Sequence, residues 1–223
     1  MRAPVLQLDN VGRRIEGRPL FSGITLTIHA GERVAIMGQS GLGKTTLLHL
    51  AAGMDVPDEG SVTLCARPIS SLPEPERTQW RARHIGLVFQ DFNLIDSLTV
   101  SENIELPLWL NHQRHRQKRV AAMADALDIG ALLDRLPSAL SGGEKQRVAI
   151  ARALVHEPAV VLADEPTGSL DEDNAQKVLA LFDQVTQSTQ AAVLLVTHNP
   201  QAAATCERLT HLQHGTLVDG PLR

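Results

Sequence analysis

The sequence predicts an α/β fold: a core of buried strands, a β-rich N-terminal part and a mostly helical insert. Three observations carry that prediction. Buried-strand runs recur along the chain, and three of them end in polar residues. The first third contains an apolar/polar alternation typical of a half-exposed antiparallel strand. Between Asp91 and about Ser141 the apolar period becomes helical. The expected organisation is a single domain over 1–223, with a β subdomain and the first core segment in 1–90, a helical subdomain in 91–145 and the rest of the core in 146–223.

In chain order, "ITLTIHAGERVAIMG" sets Ile24, Leu26 and Ile28 against Thr25 and Thr27, turns at Ala30–Glu32, and enters an unbroken apolar run, Val34–Met37. The unbroken run predicts a strand covered on both faces. "GSVTL" and "HIGLVFQ" predict further strands. "KRVAAMADALDI" then places Val120, Met123, Ala124 and Leu127 on one helical face, with Pro107, Gly130 and Pro137 as punctuation. "AVVLADE" predicts a strand. "NAQKVLALFDQVT" predicts an amphipathic helix through Ala175, Val178, Leu179, Phe182 and Val185, and "AAVLLVTH" predicts another buried strand.

Composition narrows the function classes. Aromatic residues make up 3% of the chain and there is no Tyr, so stacking surfaces are scarce. The net charge of −4 argues against a general nucleic-acid binder, though not against a local basic patch. Cys65 and Cys206 lack CxxC spacing and are expected as reduced thiols. His211 and His214 are closely enough spaced to share a metal, but the favoured reading is a solvated pair. The N-terminus has no apolar h-region and no run is long enough to span a bilayer, so any membrane role is expected to come through a partner.

"GQSGLGKTT" (Gly38, Gln39, Ser40, Gly41, Leu42, Gly43, Lys44, Thr45, Thr46) fits the P-loop pattern G-x-x-x-x-G-K-[ST], between a buried strand and a helical run. Its glycines let backbone N–H groups turn towards phosphate oxygens. Lys44 is expected on the β- and γ-phosphates and Thr45 on Mg²⁺. Asp164 ends a strand where a carboxylate helps hold that Mg²⁺. Glu165 follows and faces an attacking water as general base. His198 also ends a strand, and on the same sheet edge it is expected to meet the γ-phosphate. Gln90 ends "GLVFQ", within reach of Mg²⁺ or water on one side and the helical insert on the other. In open α/β sheets ligands sit at these carboxyl ends.

A second phosphate grip lies about a hundred residues on. "LSGGE" sets Ser141 before Gly142, Gly143 and Glu144 at the start of a helix, where free N–H groups and a hydroxyl favour an anion. With the P-loop, Gln90, "LSGGE", Asp164–Glu165, "SLD" at Ser169–Asp171 and His198 in this order, the chain resembles the ATP-binding-cassette (ABC) transporter ATPases over its whole length. The resemblance implies a P-loop NTPase (RecA-like) core with an N-terminal antiparallel β subdomain and a helical ABC signature subdomain. It implies ATP and Mg²⁺ as cofactors. It also implies a second ATPase subunit, most simply another copy, whose Ser141, Gly142 and Gly143 grip the γ-phosphate held at this chain's Lys44. Asp171 is expected in the contact that couples the two sites.

"FQDFNLIDSLTVSENIELPL" with "LADEPTGSLD" is similar to the lipoprotein-release and macrolide-export (LolD- and MacB-like) branch. That implies separate integral membrane permease subunits, no nucleic-acid partner, and a cytoplasmic location on the inner face of the bacterial membrane. A regulatory ATPase that switches a membrane-linked cell-wall hydrolase is the rival reading. Three positions depart from the family pattern. Ile15 stands where an aromatic residue usually stacks on adenine, so contact from Ile15 or Arg14 and weak base discrimination are expected. Leu42 replaces a small residue. Asn199 follows His198 where Asp is common. The basic run "HQRHRQKR" at His112–Arg119 is either a solvated helix face or a contact with anionic lipid or a permease loop.

Overall fold

The computed structural model describes residues 3–220. The chain opens with β1 (Pro4–Ile15) and β2 (Arg18–His29), then β3 (Arg33–Met37), α1 (Lys44–Ala51), β4 (Glu59–Leu64) and β5 (Arg67–Pro68). Next come α2 (Glu74–His84), β6 (Ile85–Val88), α3 (Val100–Leu110), α4 (Arg116–Ala126) and α5 (Gly142–Leu154). The last part holds β7 (Val160–Asp164), α6 (Glu172–Thr189), β8 (Ala192–Thr197), α7 (Pro200–Ala203), β9 (Arg208–Gln213) and β10 (Thr216–Asp219).

Two sheets result. β2-β1-β4-β5 is antiparallel, and its alternation is as expected: Ile24, Leu26 and Ile28 are buried while Thr25 is exposed. The other sheet runs β10-β9-β3-β8-β7-β6 and is parallel from β9 to β6. Its strands β3, β7 and β8 are apolar almost throughout because helices cover one face and the antiparallel sheet with α1 covers the other. Met37 pairs with Thr197 and Asp164 with Val196, so these strands end level with one another. That register brings Gly38, Glu165 and His198 to one edge.

The helical part is a cluster of α3, α4 and α5 on the helix-covered face of the parallel sheet, through Val100, Ile104, Leu108, Val120, Ala124, Val148 and Leu154. The face of α6 is the expected one, Ala175, Val178, Leu179, Phe182 and Val185 all being buried. Pro107 does not end a helix but lies inside α3. A capping box starts that helix, with Glu102 N–H donating to Thr99 Oγ1 at 3.2 Å and Thr99 N–H to Glu102 Oε2 at 2.8 Å. Burial of Ile104 and Leu108 carries it across the proline. α2 falls outside the helical part anticipated from the sequence. It buries no residue, so it has no apolar period to betray it, and it is held by Trp80 Nε1–H donating to Leu64 O at 3.1 Å and Arg81 to Gly53 O at 2.6 Å. No described helix is long and apolar enough to cross a membrane.

Candidate active site

The P-loop joins β3 to α1. Two of its glycines are required by contact. A Cβ on Gly38 meets Leu212 O at 2.9 Å, and a Cβ on Gly43, whose φ is +90°, meets Leu20 Cδ2 at 2.6 Å. Lys44 is nearly buried, and its Nζ donates to Gly38 O at 2.8 Å and Gln39 O at 3.0 Å. The ammonium therefore stands inside the loop, at the N-terminus of α1, where phosphate is favoured.

A cleft of about 440 Å³ opens on this loop. Ile15, Ser40, Gly41, Gly43, Lys44, Thr45, Thr46, Gln90, Asp164, Glu165 and His198 line it, together with Leu20. Burial pushes the Asp164 carboxyl above the usual aspartate range, opposed by a hydrogen bond from the Thr45 hydroxyl; the charge of Glu165 pushes it further up. A half-buried carboxylate short of cationic compensation, beside a hydroxyl, is a hard-oxygen donor set that fits Mg²⁺. Glu165 is held from three directions: by Thr197 Oγ1–H to Oε2 at 3.0 Å, and by His198 N–H at 3.0 Å and Nδ1 at 2.7 Å, both to Oε1. Thr197 has no role in the sequence reading; its signal was only its place between a buried strand and His198.

Gln90 is fixed by its neighbours. Ser169 Oγ donates to Gln90 O at 3.2 Å, and a Cβ on Gly168 meets the Gln90 side chain at 3.2 Å. Arg152 of α5 donates to Phe92 O at 2.8 Å and Asn93 O at 2.6 Å, so the segment after Gln90 is tied to the helix that Ser141 caps. The sequence offered no signal for Arg152.

Ser141, Gly142, Gly143, Glu144 and Asp171 are not among the residues lining the cleft. They form a patch of their own. Ser141 N–H and Oγ–H donate to Glu144 Oε2, each at 2.7 Å, and Glu144 N–H returns to Ser141 Oγ at 3.4 Å. This capping box leaves the N–H groups of Gly142 and Gly143 without an intrahelical partner in the first turn, Gly142 half-buried near Leu170 and Gly143 buried against Asn174. Glu144 therefore braces the serine. Asp171 caps α6 by accepting from Asn174 N–H at 3.0 Å, and Asn174 sits against Gly143, where a Cβ meets its Oδ1 at 3.2 Å.

Gln39 and Leu42 face the other side of the loop, in a second cavity shared with His198, His211 and His214. Leu42 packs back onto the core, which accounts for its size. His211 is not solvated: it is 3% exposed on β9, because the β3–β9 pairing draws it under the P-loop. No group of three His, Cys, Asp or Glu side chains placed to hold a metal occurs among the described residues. Asn199 caps α7, accepting from Gln201 N–H at 2.8 Å. Arg14 is engaged with Glu59 at 3.0 Å, whereas Ile15 is half exposed at the cleft mouth.

The family model for ABC transporters matches residues 21–168. The chain belongs to the ABC transporter ATPase family. It is 42% identical over 221 residues to the lipoprotein-releasing system ATP-binding protein LolD of Pseudomonas syringae pv. tomato, covering 96% of this chain and 97% of that one. It is 37% identical over 219 residues to the bacitracin export ATP-binding protein BceA of Halalkalibacterium halodurans, covering 96% and 87%. Among solved structures, the ATP-binding cassette MJ0796, in a dimeric post-hydrolysis state bound to ADP and Pi, superimposes with a TM-score of 0.87 at 35% identity over 98% of this chain and 99% of that chain. An ABC ATPase with a P-loop NTPase core is what the sequence predicted.

Proposed function

We propose that this ABC ATPase works as a homodimer around two MgATP molecules, each held by the P-loop of one copy and the Ser141 patch of the other. The observation that carries this is the separation of the two phosphate grips. The cleft holds Lys44, Asp164 and Glu165, while the start of α5, with Ser141 exposed and Gly142 half-buried, lies outside it. A second copy completes the pocket. Lys44 and the loop N–H groups bind the β- and γ-phosphates; Thr45, Asp164 and Gln90 hold Mg²⁺. Glu165 polarises the water and His198 contacts the γ-phosphate. Asp171 couples the two pockets through Asn174 and Gly143.

The closure stroke passes to separate permease subunits in the membrane, as the LolD and BceA likeness supports, and these hold the ATPase at the inner face. The docking groove is an apolar cavity of about 360 Å³ lined by Leu87, Phe89, Ile95, Leu106, Pro107 and Leu110. Arg152, at its edge, links it to the chain after Gln90.

Purified mixed dimers test the shared pocket. A Lys44→Ala chain paired with a Ser141→Arg chain keeps one complete pocket and hydrolyses ATP. A chain carrying both changes, paired with an unaltered chain, keeps none and falls to background. The opposite pattern means that each chain completes its own pocket, and the reading fails.

A further inference from the structure

We propose that the end of α3 and the turn into α4 form a contact surface for an anionic lipid bilayer. Trp109, at the end of α3, is 58% exposed and lies outside the docking groove that its neighbour Leu110 lines. The stretch Trp109–Arg119 follows with Arg114, Arg116, Lys118 and Arg119 and no acidic residue, on a chain whose net charge is −4. Arg116 Nε donates to Glu105 at 2.6 Å, and Glu105 lies one helical turn before Trp109 on the same face of α3. That bond ties the start of α4 to α3 one turn before the tryptophan, and a shallow hollow of about 570 Å³ there is lined by Arg114, Arg116 and Lys118 with Gln113, His115, Gln117 and the already paired Glu105.

The charges do not serve the helix. α4 begins with Arg116, Lys118 and Arg119, has no acidic residue in its first turn, and receives no side-chain cap from His115. Cations at a helix N-terminus oppose its dipole. Arg116 and Arg119 are compensated by Glu105 and Glu157. Arg114 and Lys118 are exposed and engage no other described residue. An exposed indole before the turn and free cations after it match a lipid surface in both parts: the indole enters the headgroup layer and the cations meet lipid phosphates. A purely solvated face does not need Trp109 uncovered.

The assignment takes from the permease reading only that this end of α3 faces the bilayer. Vesicles test it without a permease, so its failure leaves the docking groove standing. The purified ATPase is floated with phosphatidylcholine vesicles and with vesicles containing about 30 mol% phosphatidylglycerol, at low and high salt. Binding to the anionic vesicles alone, weakened by salt, is expected. Arg114→Glu with Lys118→Glu lowers the bound fraction by about tenfold or more, and Trp109→Ala lowers it without altering soluble ATP hydrolysis. Equal flotation with both vesicle types, no flotation, or unchanged flotation of the charge-reversed variant overturns the proposal. Loss of permease co-purification in that variant without any vesicle binding assigns the patch to protein instead.

Discussion

Glu165 and His198 lie 33 residues apart in the chain and are bound twice, backbone N–H and Nδ1 both meeting Glu165 Oε1. The register of β7 against β8 makes this possible, since Asp164 pairs with Val196 and leaves the next residues of both strands at one edge. The carboxylate is therefore an acceptor pinned by three donors, with Thr197 on its other oxygen. Such a group is oriented before any water arrives.

Glu165→Gln lowers hydrolysis by about 100-fold or more while ATP still binds, because the amide cannot take a proton from water. Light scattering of the ATP-loaded variant gives a lasting dimer; a monomer contradicts the mechanism. Thr197→Val removes one pinning bond and costs about 1 kcal/mol of stability. Its rate loss is smaller than that of Glu165→Gln.

Asp164→Asn separates stability from function. Burial raises the Asp164 carboxyl, so in the metal-free protein its folded-state contribution is full below the ordinary aspartate range and is lost as pH rises through the raised value. The metal-free variant melts at a higher temperature than the parent at neutral pH, and the gain disappears in acid. It also loses about 100-fold or more of its Mg²⁺-supported hydrolysis. Thermal melts across pH, with and without Mg²⁺, read both effects.

His156 predicts an acid limit. Burial lowers its imidazole to about 4, against the hydrogen bond to Ile85 O, so the folded protein holds it neutral. The unfolded chain binds the proton first. The stabilisation is complete above pH about 6.5 and is lost as pH falls towards 4, by up to about 3 kcal/mol. His156→Gln flattens the slope of denaturation free energy against pH in that window; an unchanged slope rejects the assignment.

Ile15 stands half exposed at the mouth of the cleft. An aliphatic side chain there gives adenine no stacking partner, so GTP competes with ATP at comparable concentration. Ile15→Phe tightens ATP binding by roughly threefold to tenfold, the range of an aromatic contact. Competition between labelled ATP and GTP in the two proteins measures it.

The sequence by itself determined the fold class, the P-loop, the two acids at the end of β7, the Ser141–Gly143 helix start and the apolar faces of α4 and α6. All of these are written in local spacing: a motif confined to one turn, or a period repeated along one element. Tertiary structure alone decided the burial of His211 beneath the P-loop, the packing of Leu42 into the core, the pinning of Glu165 by Thr197 and His198, and the tie from Arg152 to the segment after Gln90. Each depends on strand register or helix packing between distant parts of the chain, which no local pattern encodes. The same physics hid α2, because a helix that buries nothing leaves no apolar period to find.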